Sequence, residues 1–141
     1  MTALRSERGQ ASVLAIGAAL VAFAVAGVTI DGTRAFLFRR SLQNAADAAA
    51  LAGASEIDVE TFYAGGGARA VLDPAAARAT AIDWLRRRGL DAVADVDADD
   101  GAVEVTLRGR IGTTLLALVG IDDVPVAAAA RAEPLPGRPA P

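Results

Sequence analysis

The chain contains no cysteine and no histidine, and its 14 basic residues are all arginine because lysine is absent as well. Without cysteine there can be no disulfide bond and no thiolate nucleophile, and without histidine there is no imidazole general base. Zinc sites built from these two ligand types are excluded for the same reason. The hydroxyls of Ser41, Ser55, Thr113 and Thr114 therefore have no histidine or lysine to activate them, and the sequence predicts a protein that is not an enzyme.

Aromatic residues are also scarce, at 4% of the 141 positions, although hydrophobic residues make up 53%. Alanine fills 35 positions, so most of the apolar character comes from small side chains. Because each of them buries little area, a core made from them is thin and depends on close approach of backbones. We therefore expect a small domain that relies on partners.

Charge and motif content argue against two further classes of ligand. The net charge is −3 and no basic surface run is present, which argues against nucleic acid as a partner. Gly65, Gly66 and Gly67 lack the Lys-Ser/Thr pair that follows the glycines of a phosphate-binding loop. The sequence therefore predicts no cofactor and no small-molecule substrate.

Carboxylates alternate at Asp95, Asp97 and Asp99 ahead of Gly101, as they do in calcium-binding loops. Such loops take much of their affinity from a bidentate glutamate at the twelfth position, which here is Thr106. The sequence favours instead a hairpin turn with exposed aspartates, in which Gly101 adopts a positive φ. No metal ligand is predicted, and the calcium loop stays as the alternative.

Residues 11–30 form a run of twenty positions without a charge. This matches the roughly 20 residues that a helix needs to cross a hydrocarbon core about 30 Å thick. Two arginines precede the run and three follow it closely, so the arginine count does not fix its orientation. Ala18, Ala22 and Ala26 place a small residue at every fourth position, which lets another helix approach closely in lipid. The run is predicted to be a membrane span with a helix-packing face.

Helix-forming composition continues beyond this span. The stretch RRSLQNAADAAALAGA at residues 39–54 is rich in strong helix formers, and Ala45, Ala49 and Ala52 extend the predicted helix-packing stripe outside the membrane. We divide the chain into five predicted regions: a cytoplasmic head (1–10), a transmembrane helix (11–30), an extension of that helix outside the membrane (31–60), a small α+β domain (61–133) and a Pro-rich disordered tail (134–141).

The α+β domain is predicted to contain a helix, a β-hairpin, a short helix and a final strand. Asp73, Pro74 and Gly89 are typical start and stop signals for the helix, on which Trp84 is predicted to anchor the core. A loop is predicted at 61–69. The hairpin strands are predicted at 92–97 and 102–108, the short helix at 113–119, and the last strand at 124–132, where Pro125 indicates a sheet edge.

Two segments resemble a known family. The first is ERGQASVLAIGAALVAFAVAGVTIDGTRAFLFRRSLQNAADAAALAGA at residues 7–54, and the second is VEVTLRGRIGTTLLALVGIDDVPVAAAARAEP at residues 103–134. Together they are similar to the TadE/TadG-like proteins of the tight-adherence (Flp) type IV pilus assembly systems. The stretch QNAADAAALAGA is the most specific element of this resemblance.

The resemblance implies a membrane-anchored structural component of a pilus assembly or secretion apparatus. It implies a single-pass protein of the cell membrane, an extracytoplasmic C-terminal domain, and partners that are other pilus-assembly or pilin-like membrane proteins. Related pilin-like proteins are cut after a glycine, which here would be Gly9, and many carry glutamate at the fifth mature position. That position is Leu14, and this departure favours a minor or pseudopilin-like role.

A cleavable signal peptide is the alternative. Residues 22–24 and 24–26 both fit the A-x-A pattern, and Arg5 and Arg8 could supply the positively charged start. The chain would then be a secreted or surface-binding module released by signal peptidase. The apolar run, however, is long enough to span a membrane and continues into a helix without a polar cleavage region. The mass of the mature protein separates the possibilities: intact, cut after Gly9, or cut after Ala26.

Overall fold

The computed structural model describes residues 4–65 and 70–135, with side chains from residue 9 onward. Its elements are α1 (Leu4–Gly53), α2 (Val59–Ala64), α3 (Pro74–Arg88), β1 (Val93–Ala98), β2 (Val103–Gly112), a 3₁₀ helix (Leu116–Val119) and β3 (Asp123–Ala132). This is a long apolar helix followed by a small α+β domain, as predicted. The predicted glycine-rich loop at 66–69 and most of the predicted tail, from 136 onward, lie outside the described residues.

The sheet has three antiparallel strands in the order β1-β2-β3. β1 and β2 form the predicted hairpin, with a register that runs from Val93 opposite Arg108 to Ala98 opposite Val103. β3 is an edge strand, so the edge position inferred from Pro125 is confirmed.

The helix α3 begins and ends at its predicted signals. The Asp73 carboxylate accepts hydrogen bonds from the backbone N–H groups of Ala75 and Ala76, at 3.0 and 3.1 Å, and Pro74 opens the first turn. Gly89 ends the helix with φ of 60°, a left-handed conformation that glycine adopts without a steric cost.

The predicted loop at 61–69 is in part a helix. α2 begins at Val59 because the Asp58 carboxylate caps it, accepting hydrogen bonds from the N–H groups of Glu60 and Thr61 at 3.1 Å each. The Thr61 hydroxyl also donates to Asp58, at 2.6 Å. The sequence pattern does not predict this helix, because only six residues separate its cap, Asp58, from Gly65, which is too few for a helical periodicity to be recognised.

The core is built from aliphatic side chains and alanines instead of from tryptophan. The largest side chains that are fully buried are Leu42, Leu72, Val103, Val105 and Leu107. The expectation that Trp84 anchors the core is wrong. The buried face of α3 follows Ala77, Ala81 and Leu85, so Trp84 falls at the edge of that face, half-buried, with the Arg88 guanidinium 4.8 Å from its ring centre.

The chain divides into two compact units. One contains the described part of α1 up to Phe36 together with Ile111–Val124, which is the connection between β2 and β3 and its ends. The other contains Leu37–Arg110 and the described residues from Pro125 onward. The C-terminal part of α1 therefore belongs to the folded domain, since Leu42, Ala46 and Ala50 are buried there.

Candidate functional site

The first part of α1 presents an apolar surface that the chain itself leaves uncovered. Leu14 is 76% exposed and Phe23 is 69% exposed. By length and composition α1 is the one helix among the described residues that could cross a membrane. The large exposed side chains of the uncharged run are Val13, Leu14, Ile16, Leu20, Val21, Phe23, Val25, Val28 and Ile30.

Two threonines near the end of this run hydrogen-bond to their own helix. The Thr29 hydroxyl donates to the Val25 carbonyl at 2.8 Å, and the Thr33 hydroxyl donates to the Thr29 carbonyl at 2.7 Å. Because hydrocarbon offers no hydrogen-bond partner, such internal bonds are what a hydroxyl needs on a helix that enters lipid. The polar groups at this end of the run are therefore compatible with a lipid environment.

The predicted packing stripe begins on the apolar surface. Ala18 and Ala22 are exposed there, and Ala26 is half-buried. Their spacing of four residues aligns them along one side of α1 and keeps that side free of bulky groups. Contact of this stripe with a partner helix stays a prediction.

The second part of the stripe lies within the folded domain. Ala45 and Ala49 are 5% and 0% exposed, so the chain's own core covers them, and only Ala52 is half-buried. Small residues are needed here because elements of the same chain pack closely on α1. Packing against another protein stays a prediction for Ala52, together with the three alanines of the span.

The possible processing residue, Gly9, is exposed and lies inside α1, which begins at Leu4. The position expected to carry glutamate in related pilins, Leu14, lies about one and a half turns further along the same helix. Whether Gly9 is a cleavage site stays a prediction.

Asp31 directly follows the uncharged run. Among the residues that the structure describes it is the one charged residue that is buried, with 3% of its surface exposed. Its carboxylate accepts three backbone hydrogen bonds from the connection between β2 and β3. Oδ1 accepts from Thr114 at 2.9 Å, and Oδ2 accepts from Leu115 at 2.9 Å and from Leu116 at 2.8 Å. These N–H groups open the 3₁₀ helix and would otherwise lack partners, so Asp31 fixes this connection to α1.

Arg34 completes this arrangement one turn later. Its Nη1 donates to the Thr114 hydroxyl at 2.6 Å and lies 3.9 Å from Oδ1 of Asp31. The guanidinium thereby balances the buried carboxylate while about half of the side chain stays exposed. The cluster holds a backbone segment in place and presents no reactive group.

The sequence by itself assigns no role to Asp31, which directly follows the uncharged run. A lone carboxylate directly after an uncharged run was the available signal for a buried role. Its partners could not be read from the sequence, because they lie 83 to 85 positions further along the chain.

The acidic stretch forms the turn of the β1–β2 hairpin. The Asp99 carboxylate accepts hydrogen bonds from the N–H groups of Gly101 and Ala102, at 2.8 and 2.7 Å. The Gly101 bond is the main cause that holds the pKa of Asp99 below its ordinary value, with the Ala102 bond second. Gly101 does not adopt the positive φ that was expected, because this turn is closed by the Asp99 side chain.

Comparison with known families gives one match over part of the chain. Residues 9–56 match the family described as putative Flp pilus-assembly TadE/G-like. The resemblance stated from the sequence is therefore confirmed for this segment, which holds the apolar run, Asp31 and the QNAADAAALAGA stretch. No curated protein and no solved structure matches the chain.

Proposed function

We propose that this chain, whose residues 9–56 carry a TadE/G-like Flp pilus-assembly segment, is a membrane-anchored structural component of such an assembly or of a related secretion apparatus. Residues 11–30 span the membrane once, and the folded domain lies on the extracytoplasmic side. The protein acts by holding and presenting this domain at the membrane, without catalysing a reaction.

The uncovered apolar surface of α1 is the observation that carries this proposal. Exposing one large apolar side chain to water costs about 1.5–3 kcal/mol relative to burying it, and nine such side chains are exposed along residues 13–30. A lipid environment removes that cost. The surface lies within the matched segment, so the family and the physical chemistry point to the same role.

A minor or pseudopilin-like role suits the chain better than that of a repeating filament subunit. Leu14 stands where many pilins carry the glutamate expected to pair with a neighbouring subunit. The proposed partners are other pilus-assembly or pilin-like membrane proteins, which would contact the stripe of Ala18, Ala22 and Ala26.

Membrane extraction tests the anchor. The chain should stay with the membrane after carbonate washing, and Leu20→Arg should move a large share into the soluble fraction, because a charge at the centre of a span opposes insertion. Leu51→Arg is the matched control, since Leu51 lies on the same helix and is equally exposed at 66%. Recovery of the unaltered chain in the soluble fraction, with a mass that fits cleavage after Ala26, would instead establish the secreted module.

Single-cysteine labelling tests the orientation, and the cysteine-free chain gives no background. In intact spheroplasts a membrane-impermeant maleimide should label Ala79→Cys, on the exposed side of α3, and should label Ser6→Cys only after lysis. The opposite pattern would place the folded domain in the cytoplasm.

A further inference from the structure

The connection between β2 and β3 exposes large apolar side chains close to the proposed span. We call residues 113–121 the apolar loop. Leu118 is 80% exposed, Val119 73% and Ile121 46%. Eleven residues without a charge, 111–121, lie between Arg110 and Asp122. A patch of this kind on a protein surface marks an interaction site.

The apolar loop lies beside the end of the uncharged run of α1. Leu115 contacts Gly27, where an added methyl group would come within 3.2 Å of the Leu115 Cβ. Gly27 precedes Asp31 by four residues, which is about 6 Å along a helix. The contact therefore places the loop next to the last turn of the apolar run, on the span side of Asp31.

Seven backbone N–H groups of the nine-residue apolar loop are bonded within the chain. Asp31 accepts those of residues 114–116, and the Asp122 carbonyl accepts that of Thr113 at 2.9 Å. Carbonyls of the loop accept those of Leu118, Gly120 and Ile121, at 3.2, 3.0 and 3.1 Å. A backbone whose polar groups are hydrogen-bonded within the protein can move from water into a lipid environment without losing hydrogen bonds.

We infer that the apolar loop is a second membrane contact, which inserts Leu118, Val119 and Ile121 into the interface of the leaflet at the Asp31 end of the span. This inference rests on the proposed span of residues 11–30. Asp31 positions the loop, and the charged residues Arg110 and Asp122 flank the uncharged segment 111–121 that contains it. The occupant of the patch is lipid, at the boundary between headgroups and acyl chains, as with interfacial anchors.

Tryptophan quenching in vesicles tests the inference on the full-length chain. Trp84 is replaced by phenylalanine, which leaves no other tryptophan. A single tryptophan is then introduced as Leu118→Trp in the loop, Leu20→Trp in the span, or Tyr63→Trp on α2, where Tyr63 is 75% exposed and serves as the matched control. Each variant is reconstituted into phosphatidylcholine vesicles with and without brominated acyl chains.

Leu118→Trp should be quenched at least twofold more than Tyr63→Trp, and more strongly by bromines near the headgroups than by bromines near the bilayer centre. Leu20→Trp should be quenched by the deeper bromines. Adding Asp31→Ala should reduce the quenching of Leu118→Trp and leave that of Leu20→Trp unchanged, because Asp31 acts on the loop and not on the span.

The outcomes separate this inference from the proposed function. Strong quenching of Leu20→Trp with none of Leu118→Trp would keep the span and overturn the loop insertion, leaving the patch for a protein partner. Equal quenching of Leu118→Trp and Tyr63→Trp would also overturn it, since it would show unspecific adsorption. Absence of quenching at Leu20→Trp would overturn the span and the inference together.

Discussion

A methyl group added to Gly53 would lie 2.8 Å from the carbonyl oxygen of Ala77. The same methyl group would lie 3.2 Å from both γ-carbons of Val103. Gly53 is thus the point at which the end of α1, α3 and β2 come together, and its missing side chain lets the three backbones approach. This contact connects the TadE/G-like segment to the rest of the folded domain.

Gly53→Ala should therefore destabilise the domain by about 1–3 kcal/mol, because overpacking against a backbone carbonyl outweighs the gain in helix propensity. In detergent micelles this corresponds to a fall in Tm of at least about 4 °C, on the scale of about 4–8 °C per kcal/mol for a domain of this size. Gly32→Ala is the matched control, since nothing lies within 4 Å of its added methyl group. An equal Tm for Gly53→Ala and the unaltered chain would contradict the close packing.

Ala49→Leu should also destabilise the domain by about 1–3 kcal/mol, since Ala49 is fully buried and leucine needs space that the core lacks. Ala52→Leu, one turn later and half-buried, should cost less. Thermal unfolding measured by circular dichroism checks the order. A larger loss for Ala52→Leu would contradict the deeper burial of Ala49 in the core of the folded domain.

Ala22→Leu should weaken contact with partner helices and leave membrane insertion unchanged. Leucine is as apolar as the surrounding residues but prevents close approach of a second helix. Chemical cross-linking to other pilus-assembly proteins in native membranes should fall several-fold. Ala24→Leu is the control, because a shift of two residues moves the substitution to nearly the opposite side of α1. Equal cross-linking of both variants would show that the alanine stripe reflects composition alone.

Acid should remove a stabilising contribution from the hairpin turn. The folded-state pKa of Asp99 lies below its ordinary value of 3.8, so this contribution is present above that value and is lost as the pH falls through the lower, folded-state pKa. Asp99→Asn should lower Tm at neutral pH and show a smaller further loss between about pH 5 and pH 2. Asp97→Asn, an exposed carboxylate on β1, serves as the control for loss of charge. Parallel pH profiles for Asp99→Asn and the unaltered chain would contradict the turn's role.

The elements that the sequence predicted well are those with short-range signals. The cap at Asp73 and the left-handed Gly89 frame α3 within 17 residues. The apolar residues Val103, Val105 and Leu107 alternate with others along β2, a local pattern typical of a strand with one buried face, and all three are buried. The failed prediction for Trp84 needed information from elsewhere in the chain. Trp84 was expected to anchor the core because of its size, but the faces that neighbouring elements present decided otherwise.

The sequence by itself determined the apolar run of 11–30, the order of the elements other than α2, and the family resemblance, because composition and local periodicity specify these without knowledge of distant contacts. Only the tertiary structure decided what two particular residues do. Ala49 carries the same local signal as Ala22, yet the folded domain covers it. Asp31 became the attachment point of the apolar loop because the chain returns to it after more than 80 residues, and hydrogen bonds across such a separation depend on the path of the whole backbone.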